Sequence, residues 1–191
     1  MRLPGSSAPV DWLIVGLGNP GREYADSPHN IGFKVADALA ARWDLGRPRD
    51  RFRGRIVEGR AGIGGPRVAV LWPQTYMNDA GRSVGPARGS FKVPLDHVLV
   101  VHDEIDLPFG EVRTRIGGGL AGHNGLKSVK AQLGSPDFAR VRIGVGRPDS
   151  TDPDIVAGYV LGRFRQSRDE VEGLVAAGAD AVERLVLEPS P

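Results

Sequence analysis

The residues best suited to chemistry lie in the loop that follows the first strand-like run, Leu13 to Leu17. This loop places Asn19, His29 and Asn30 after the carboxyl end of a predicted strand, the edge at which open α/β sheets bind ligands. An imidazole titrates near neutral pH, so His29 can take a proton from water. Carboxamides can hold that water or bind a peptide-like group. The loop therefore predicts acid–base chemistry.

The same loop contains a glycine pattern, G-x-G-x-x-G at Gly16, Gly18 and Gly21, that is typical of dinucleotide sites. In such a site the glycines open directly into a helix whose N-terminus binds the pyrophosphate. Pro20 and Pro28 bracket a segment that is too short for that helix. We therefore interpret the pattern as a chance match and expect the loop to display its polar side chains.

Three further segments place polar side chains after strands or a glycine loop, where rigid scaffolds display functional groups. They are residues 73–78, 102–108 and 122–127. Asp103 follows a predicted buried strand and is suited to orienting the His29 ring. Asn30, Asn78 and Asn124 each have a plain alternative as helix N-caps. No G-x-S-x-G motif and no cysteine is present, so water is the expected nucleophile.

Composition is that of one ordinary globular domain, with 191 residues, 40% of them hydrophobic, and a net charge of +2. The lack of cysteine excludes disulfides and thiolate zinc sites. The first residues show no signal-peptide core and no run has the length of a membrane span, so we expect a cytoplasmic protein. Arg51, Arg53 and Arg55 have the spacing of a strand face, for which a solvated surface is the simpler interpretation. Arg113 and Arg115 repeat that spacing.

Alternating strands and helices predict an α/β domain with a mixed sheet flanked by helices. The predicted strands lie at about 12–18, 53–59, 68–72, 98–101, 113–116 and 141–145. The predicted helices lie at about 33–44, after residue 78, at 124–133 and at 167–187, and residues 148–153 are predicted as a polar loop. Gly81, Gly85 and Pro86 make the second helix poor by propensity. We expect one domain over residues 1–191, with residues 1–10 flexible.

Five motifs occur in order along the chain: G-L-G-N-P-G-x-x-Y…H-N-x-G-F, P-x-T-Y-M-N, H-D-E-I-D-L-P-x-G, G-G-G…G-H-N-G-L-K and R-x-R-I-G-V-G-R-P. Together they resemble the pattern of one family, the bacterial peptidyl-tRNA hydrolases. The similarity runs from Leu13 to about Phe164. It implies a twisted mixed sheet in a monomer without metal or cofactor. It also implies hydrolysis of the ester between a peptide and the 3′ end of tRNA, with peptidyl-tRNA as the partner and no membrane or obligate protein partner.

The resemblance implies roles for single residues. His29 is similar in position to the family's proton acceptor, and Asp103 to the carboxylate that stabilises its basic form. Asn19 matches the asparagine that discriminates N-blocked from free aminoacyl-tRNA. The residues at substrate-binding positions are Tyr24, Tyr76, Asn78 and Asn124, with Met77 in the cleft wall. The residues at tRNA-facing basic positions are Arg115, Arg142 and Lys127.

The chain departs from the family pattern at Leu120 and Ala121 of the glycine loop, at Gly85 and Pro86, and in residues 187–191, where the family's common tail is absent. None of these positions belongs to the expected catalytic set.

Three alternatives stay open at this point. A non-catalytic relative, similar to chloroplast splicing factors, would bind RNA without cleaving it, although we expect no transit peptide here. A metal-dependent hydrolase would use ligands that suit a divalent ion, although no H-E-x-x-H motif is present. Its candidate ligands are His102, Asp103, Asp106 and His123. A dinucleotide oxidoreductase is the third alternative, disfavoured by the two prolines.

Overall fold

Short runs of Val, Ile and Leu form the central strands of a seven-stranded sheet, because strands that are covered on both faces must be apolar throughout. The computed structural model describes residues 7–188, and residues 1–6 and 189–191 lie outside the described residues. The strands are β1 (Trp12–Gly16), β2 (Arg49–Arg51), β3 (Gly54–Arg60), β4 (Arg67–Pro73), β5 (Val98–Glu104), β6 (Val112–Ile116) and β7 (Ala139–Gly144). The helices are α1 (Ile31–Arg42), α2 (Gly81–Phe91), α3 (Asn124–Leu133), α4 (Pro153–Leu161) and α5 (Arg168–Leu187).

The strand order is β2-β3-β4-β1-β5-β7-β6. β1 lies between β4 and β5 and is parallel to both, and β5 is parallel to β7. The remaining pairs, β2–β3, β3–β4 and β6–β7, are antiparallel. The carboxyl ends of the four parallel strands therefore meet at one edge of the sheet. The prediction of an α/β fold with a mixed sheet is confirmed.

Helices cover both faces of the sheet. α1 and α5 pack on one face, and α2 and α3 pack on the other. Two indole groups fix α1 in place. The Trp72 indole donates to Asp37 of α1 at 2.9 Å, and the Trp43 indole at the end of α1 donates to Glu183 of α5 at 2.8 Å. Because α1 follows the His29 loop directly, these contacts also fix the end of that loop.

Residues 148–152 form a loop as predicted, but Pro153 begins a helix, α4, that local pattern does not predict. Asp152 caps α4 by accepting a hydrogen bond from the Asp154 amide at 2.8 Å, and Pro153 occupies the first helical position. No residue of α4 is fully buried, so the helix has no core-facing stripe from which to predict it. Pro86, in contrast, lies inside α2 at an exposed position without ending the helix.

The expected face of Arg51, Arg53 and Arg55 is wrong. Phe52 and Arg53 form the turn between β2 and β3, with φ angles of 58° and 51° in the left-handed region. Phe52 is held there by edge contact with Phe91, with ring centroids 5.8 Å apart. The turn interrupts the alternation, so the three arginines do not share a strand face.

The N-terminal segment is packed where the structure describes it. The Ser7 amide donates to Ser90 Oγ at 3.2 Å, and Val10 is buried against α2 and the sheet. The flexibility expected of residues 1–10 stays a prediction, and residues 1–6 lie outside the described part. Among the described residues, no helix is long and apolar enough to cross a membrane.

Candidate active site

The loop after β1 contains no phosphate-binding helix. After Gly21 the chain forms two short 3₁₀ turns, Arg22–Tyr24 and Pro28–Asn30, before α1 begins at Ile31. The glycines permit close packing instead, since a Cβ at Gly18 would lie 2.6 Å from the Phe33 ring. This geometry does not support a dinucleotide site.

A pair of asparagines fixes the shape of this loop. The Asn30 carboxamide accepts from the backbone amide of Asn19 and donates to its carbonyl oxygen, both at 2.9 Å. Asn30 occupies the N-cap position of α1 but makes no side-chain cap bond. The Asn19 side chain extends to the segment that follows β4, where its Oδ1 accepts from the Met77 amide at 2.7 Å. This bond uses one lone pair of Oδ1, and the Nδ2 hydrogens are left as the donors that Asn19 can offer to a ligand.

His29 is oriented by Asp103 at the carboxyl end of β5. His29 Nδ1 donates to Asp103 Oδ2 at 2.8 Å, which leaves Nε2 as the ring nitrogen able to take a proton. Burial works to lower the pKa of His29, but the Asp103 charge and hydrogen bond outweigh it and raise that pKa above 6.5. Burial works to raise the pKa of Asp103, yet its imidazole neighbours hold it well below its usual range. The pair is arranged for a base and its supporting carboxylate.

Asp103 accepts a second imidazole hydrogen, from His123. His123 is the N-cap of α3, and its Nδ1 accepts from the amides of Gly125 and Leu126 at 3.1 and 3.3 Å. Nδ1 is therefore unprotonated, and the proton lies on Nε2, which donates to Asp103 Oδ1 at 2.8 Å. One carboxylate thus holds two rings, one on each oxygen. The sequence placed His123 only among metal ligands, although its position directly before a predicted helix is a signal for capping.

The side chains at this edge surround a cavity of about 660 Å³. Its polar wall contains most of the predicted residues, namely Asn19, His29, Tyr76, Met77, Asn78, Asp103 and Asn124. The opposite wall is apolar and comes mainly from α4, through Val156, Val160 and Leu161. A cleft with one apolar wall and several convergent polar groups is the usual form of a small-ligand or substrate site.

Other predicted residues lie outside this cavity. Tyr24 is half-buried on the first 3₁₀ turn and does not line the cavity. Arg115 on β6 and Lys127 on α3 are exposed. Arg142 on β7 is paired with Glu104, to which its Nε and Nη2 donate at 3.2 and 3.0 Å.

The capping alternatives for two of the asparagines fail. Asn78 lies inside a 3₁₀ turn, Met77–Asp79, and Asn124 is the first residue of α3, whose cap is His123. Both carboxamides border the cavity.

A metal ion does not fit the hydrogen bonds of this edge. Nitrogen and oxygen atoms of His29, Asp103 and His123 lie within 4.8 Å of one another, the spacing of a possible metal site. His123 Nδ1 is already an acceptor, so metal binding at Nε2 would require removal of the only ring proton. The other proposed ligands are not brought together. Burial lowers the pKa of His102 to about 3, and its Nδ1 donates to the Asp103 carbonyl oxygen. Asp106 pairs with Arg147 at 2.6 Å.

Comparison with known proteins identifies the family. Residues 13–189 match the family model described as peptidyl-tRNA hydrolase. The chain belongs to the peptidyl-tRNA hydrolase family. It is 47% identical over 178 residues to a peptidyl-tRNA hydrolase of Pseudarthrobacter chlorophenolicus, covering 93% of this chain and 90% of that protein. It is 49% identical over 183 residues to one of Mycobacterium sp. (strain KMS), covering 93% of each.

Solved structures show the same similarity. A peptidyl-tRNA hydrolase from Acinetobacter baumannii superposes with a TM-score of 0.81 at 37% identity, covering 96% of this chain and 91% of that one. The predicted resemblance and fold are therefore confirmed. The family match includes all segments that line the cavity, from the loop after β1 to α4.

Proposed function

We propose that this chain hydrolyses peptidyl-tRNA to free peptide and tRNA, with His29 as the general base. Family membership supports the reaction, and one geometric observation supports the role. His29 is fixed by Asp103 through Nδ1, so that Nε2 is left to act at the wall of the cavity. This is the arrangement that activates water for attack on an ester.

In the first step, His29 Nε2 takes a proton from a water molecule as its oxygen attacks the ester carbonyl carbon. Asp103 stabilises the imidazolium through its hydrogen bond and charge. A tetrahedral oxyanion forms. In the second step, the bond to the ribose oxygen breaks, and the imidazolium returns the proton to that leaving oxygen. No group of the enzyme is covalently modified.

The carboxamides of Asn78 and Asn124 border the same cavity and are suited to donating to the oxyanion. Donors that are fixed before the reaction stabilise charge that develops only in the transition state. Asn124 stands at the N-terminus of α3, where the helix dipole also favours negative charge. We assign these two residues to oxyanion and substrate binding, and Tyr76 and Met77 to the wall that the substrate contacts.

Asn19 is assigned to substrate selection. Its oxygen already accepts from the Met77 amide, and its Nδ2 hydrogens are available to donate to a substrate. An N-acylated substrate offers a carbonyl oxygen to those donors, whereas a free α-ammonium group offers further donors and would lose hydration without gaining a partner. Asn19 therefore favours peptidyl-tRNA over aminoacyl-tRNA.

The tRNA acceptor stem is assigned to the side of the molecule that carries Arg115 and Lys127. Both are exposed and able to contact phosphate. Arg142 is a weaker candidate because Glu104 neutralises much of its charge locally. We further propose that the protein acts as a monomer in the cytoplasm, with peptidyl-tRNA as its partner and no obligate protein or membrane partner. Light scattering of the purified protein tests the monomer.

The test is release of N-acetylated amino acid from N-acetyl-aminoacyl-tRNA, compared with unblocked aminoacyl-tRNA, with and without chelator. We expect turnover of the blocked substrate and little of the free one, and no zinc or manganese requirement after chelation. Magnesium is kept at a fixed free concentration so that tRNA folding is equal in both arms. Binding of tRNA without turnover would support the non-catalytic alternative instead.

A further inference from the structure

A glycine-rich loop, residues 117–122, connects β6 to α3 and delivers His123 to the active site. Four of its six residues have positive φ angles, including Ala121 at 50°. A loop of this composition has little side-chain packing of its own and would be expected to move. The buried guanidinium of Arg140 holds it. Nη1 donates to the Gly119 carbonyl oxygen at 2.7 Å and Nη2 to that of Gly118 at 3.3 Å.

Arg140 is an unusual cation because it is 1% exposed and has no ion-pair partner among the described residues. Burial lowers its pKa, and the charges of Arg115 and Arg142 lower it further. Its charge is balanced by the two loop carbonyls, by the Pro136 carbonyl at 2.7 Å and by the Phe138 ring, whose centroid lies 4.6 Å from the guanidinium carbon. The charges of Asp137 and Glu104 also act to raise its pKa. Opening the loop would leave a buried charge short of acceptors, which is costly.

A second arginine also lies against the loop. Gly118 has a φ of 94°, and a Cβ there would collide with the guanidinium of Arg115. Two arginines, one buried and one exposed, therefore contact the loop backbone.

The loop connects Arg140 to the pair of His29 and Asp103 through His123. The His123 amide donates to the Leu120 carbonyl oxygen at 2.9 Å, which closes the loop immediately before the helix. The His123 ring then donates to Asp103, and Asp103 holds His29. A displaced loop would withdraw one of the two donors that fix the carboxylate.

We propose that Arg140 is a positioning residue of the active site, which pins the glycine loop through its carbonyl oxygens and thereby holds His123 against Asp103. This inference rests on the proposed hydrolase function. It assigns Arg140 a role different from that of Arg115, its directly opposed neighbour on β6. Arg140 is buried beneath the loop and does not line the cavity.

The test is Arg140→Lys, since a single ammonium group cannot reproduce a planar fork that spans three carbonyls. We expect kcat to fall about 10- to 10²-fold, the effect of a small misplacement of catalytic groups, with a much smaller change in KM. The matched control is Arg88→Lys. Arg88 also donates to a backbone carbonyl, that of Val93 at 3.1 Å, but at the end of α2 outside the cavity. Its kcat should stay at the wild-type value.

A double-mutant cycle separates positioning from general destabilisation. If Arg140 acts through His123, Arg140→Lys should cause little further loss of kcat in a His123→Ala background. An equal loss in both backgrounds, a loss confined to KM, or an unchanged kcat would each overturn the proposal. Arg140→Met is the second variant, and failure of both to fold at the assay temperature would assign Arg140 to the fold alone. Inactive wild-type protein would instead reject the proposed function.

Discussion

The Asp103→Asn substitution should abolish catalysis, because it moves the ring proton of His29 from Nδ1 to Nε2. In the native site, Asp103 accepts from both His29 and His123. An Asn side chain has one accepting oxygen, so one ring must lose its acceptor. His123 must keep its proton on Nε2, because Nδ1 accepts from two amides at the start of α3. The Asn oxygen therefore turns to His123, and the Asn amide donates to His29 Nδ1.

That exchange places the His29 proton on Nε2, the atom that has to accept a proton from water. A catalytic histidine in the wrong tautomer loses about 10⁴ in kcat when the same change is made in serine proteases, or about 5 kcal/mol of barrier. The assay is single-turnover hydrolysis of N-acetyl-aminoacyl-tRNA at saturating enzyme, with circular dichroism as the control for folding. A loss of less than about 10-fold in a folded Asp103→Asn protein would refute the tautomer argument.

A second substitution tests the same reasoning, because it should raise the hydrolysis rate rather than lower it. In an Asp103→Asn background, His123→Leu removes the ring that competes for the Asn oxygen. The carboxamide can then turn its oxygen to His29 and restore the active tautomer. We expect the double variant to be faster than Asp103→Asn alone. A further decrease would show that His123 does not determine the carboxamide orientation.

Three further predictions use other parts of the structure. Asn19→Asp should lower the ratio of kcat/KM for N-acetyl-aminoacyl-tRNA to kcat/KM for aminoacyl-tRNA, because a carboxylate attracts the ammonium group and cannot donate a hydrogen bond. A ratio within about twofold of wild type, which is a change in discrimination of under 1 kcal/mol, would contradict this prediction. Arg115→Ala should reduce the slope of log K for tRNA binding against log salt concentration by about 0.7–0.9. Arg142→Ala should mainly lower the melting temperature, because it leaves Glu104 unpaired at a cost of about 1–3 kcal/mol. Equal salt slopes in the two variants would contradict these different roles. Folding lowers the pKa of His102 from 6.5 to about 3, so between these pH values only the unfolded state binds this proton and the free energy of unfolding should decrease as pH falls. His102→Gln should reduce the slope of the free energy of unfolding against pH by about 1.4 kcal/mol per pH unit in this window, and an unchanged slope would contradict the buried neutral ring.

The elements that position His29 and Asp103 could be predicted from local pattern. β1 and β5 are short apolar runs; His29 lies in the loop after β1, and Asp103 lies at the carboxyl end of β5. The sheet then brings them together because β1 and β5 are parallel neighbours. Here the sequence order of strand, loop and helix was sufficient, since parallel strands align their ends at one edge.

Other features depend on long-range pairing that local pattern does not contain. The ion pair between Arg142 and Glu104 arises because Arg142 of β7 pairs with His102 of β5, two positions before Glu104 on the same strand. The orientation of the Asn19 carboxamide depends on Met77, which is 58 positions away and donates to Asn19 Oδ1. α4 was not predicted for a different reason, because several of its apolar residues line the cavity and none is buried in the core.

The most direct test of the central claim is the hydrolysis rate of His29→Ala under single-turnover conditions, with tRNA affinity measured on the same protein. If His29 Nε2 is the general base, the rate should fall about 10²- to 10⁴-fold while tRNA affinity and the melting profile stay close to wild type. In wild-type protein the rate should also fall as pH decreases through the His29 pKa, which Asp103 raises above 6.5, because the protonated ring cannot accept. A folded His29→Ala protein that binds tRNA and turns over at nearly the wild-type rate would contradict the account.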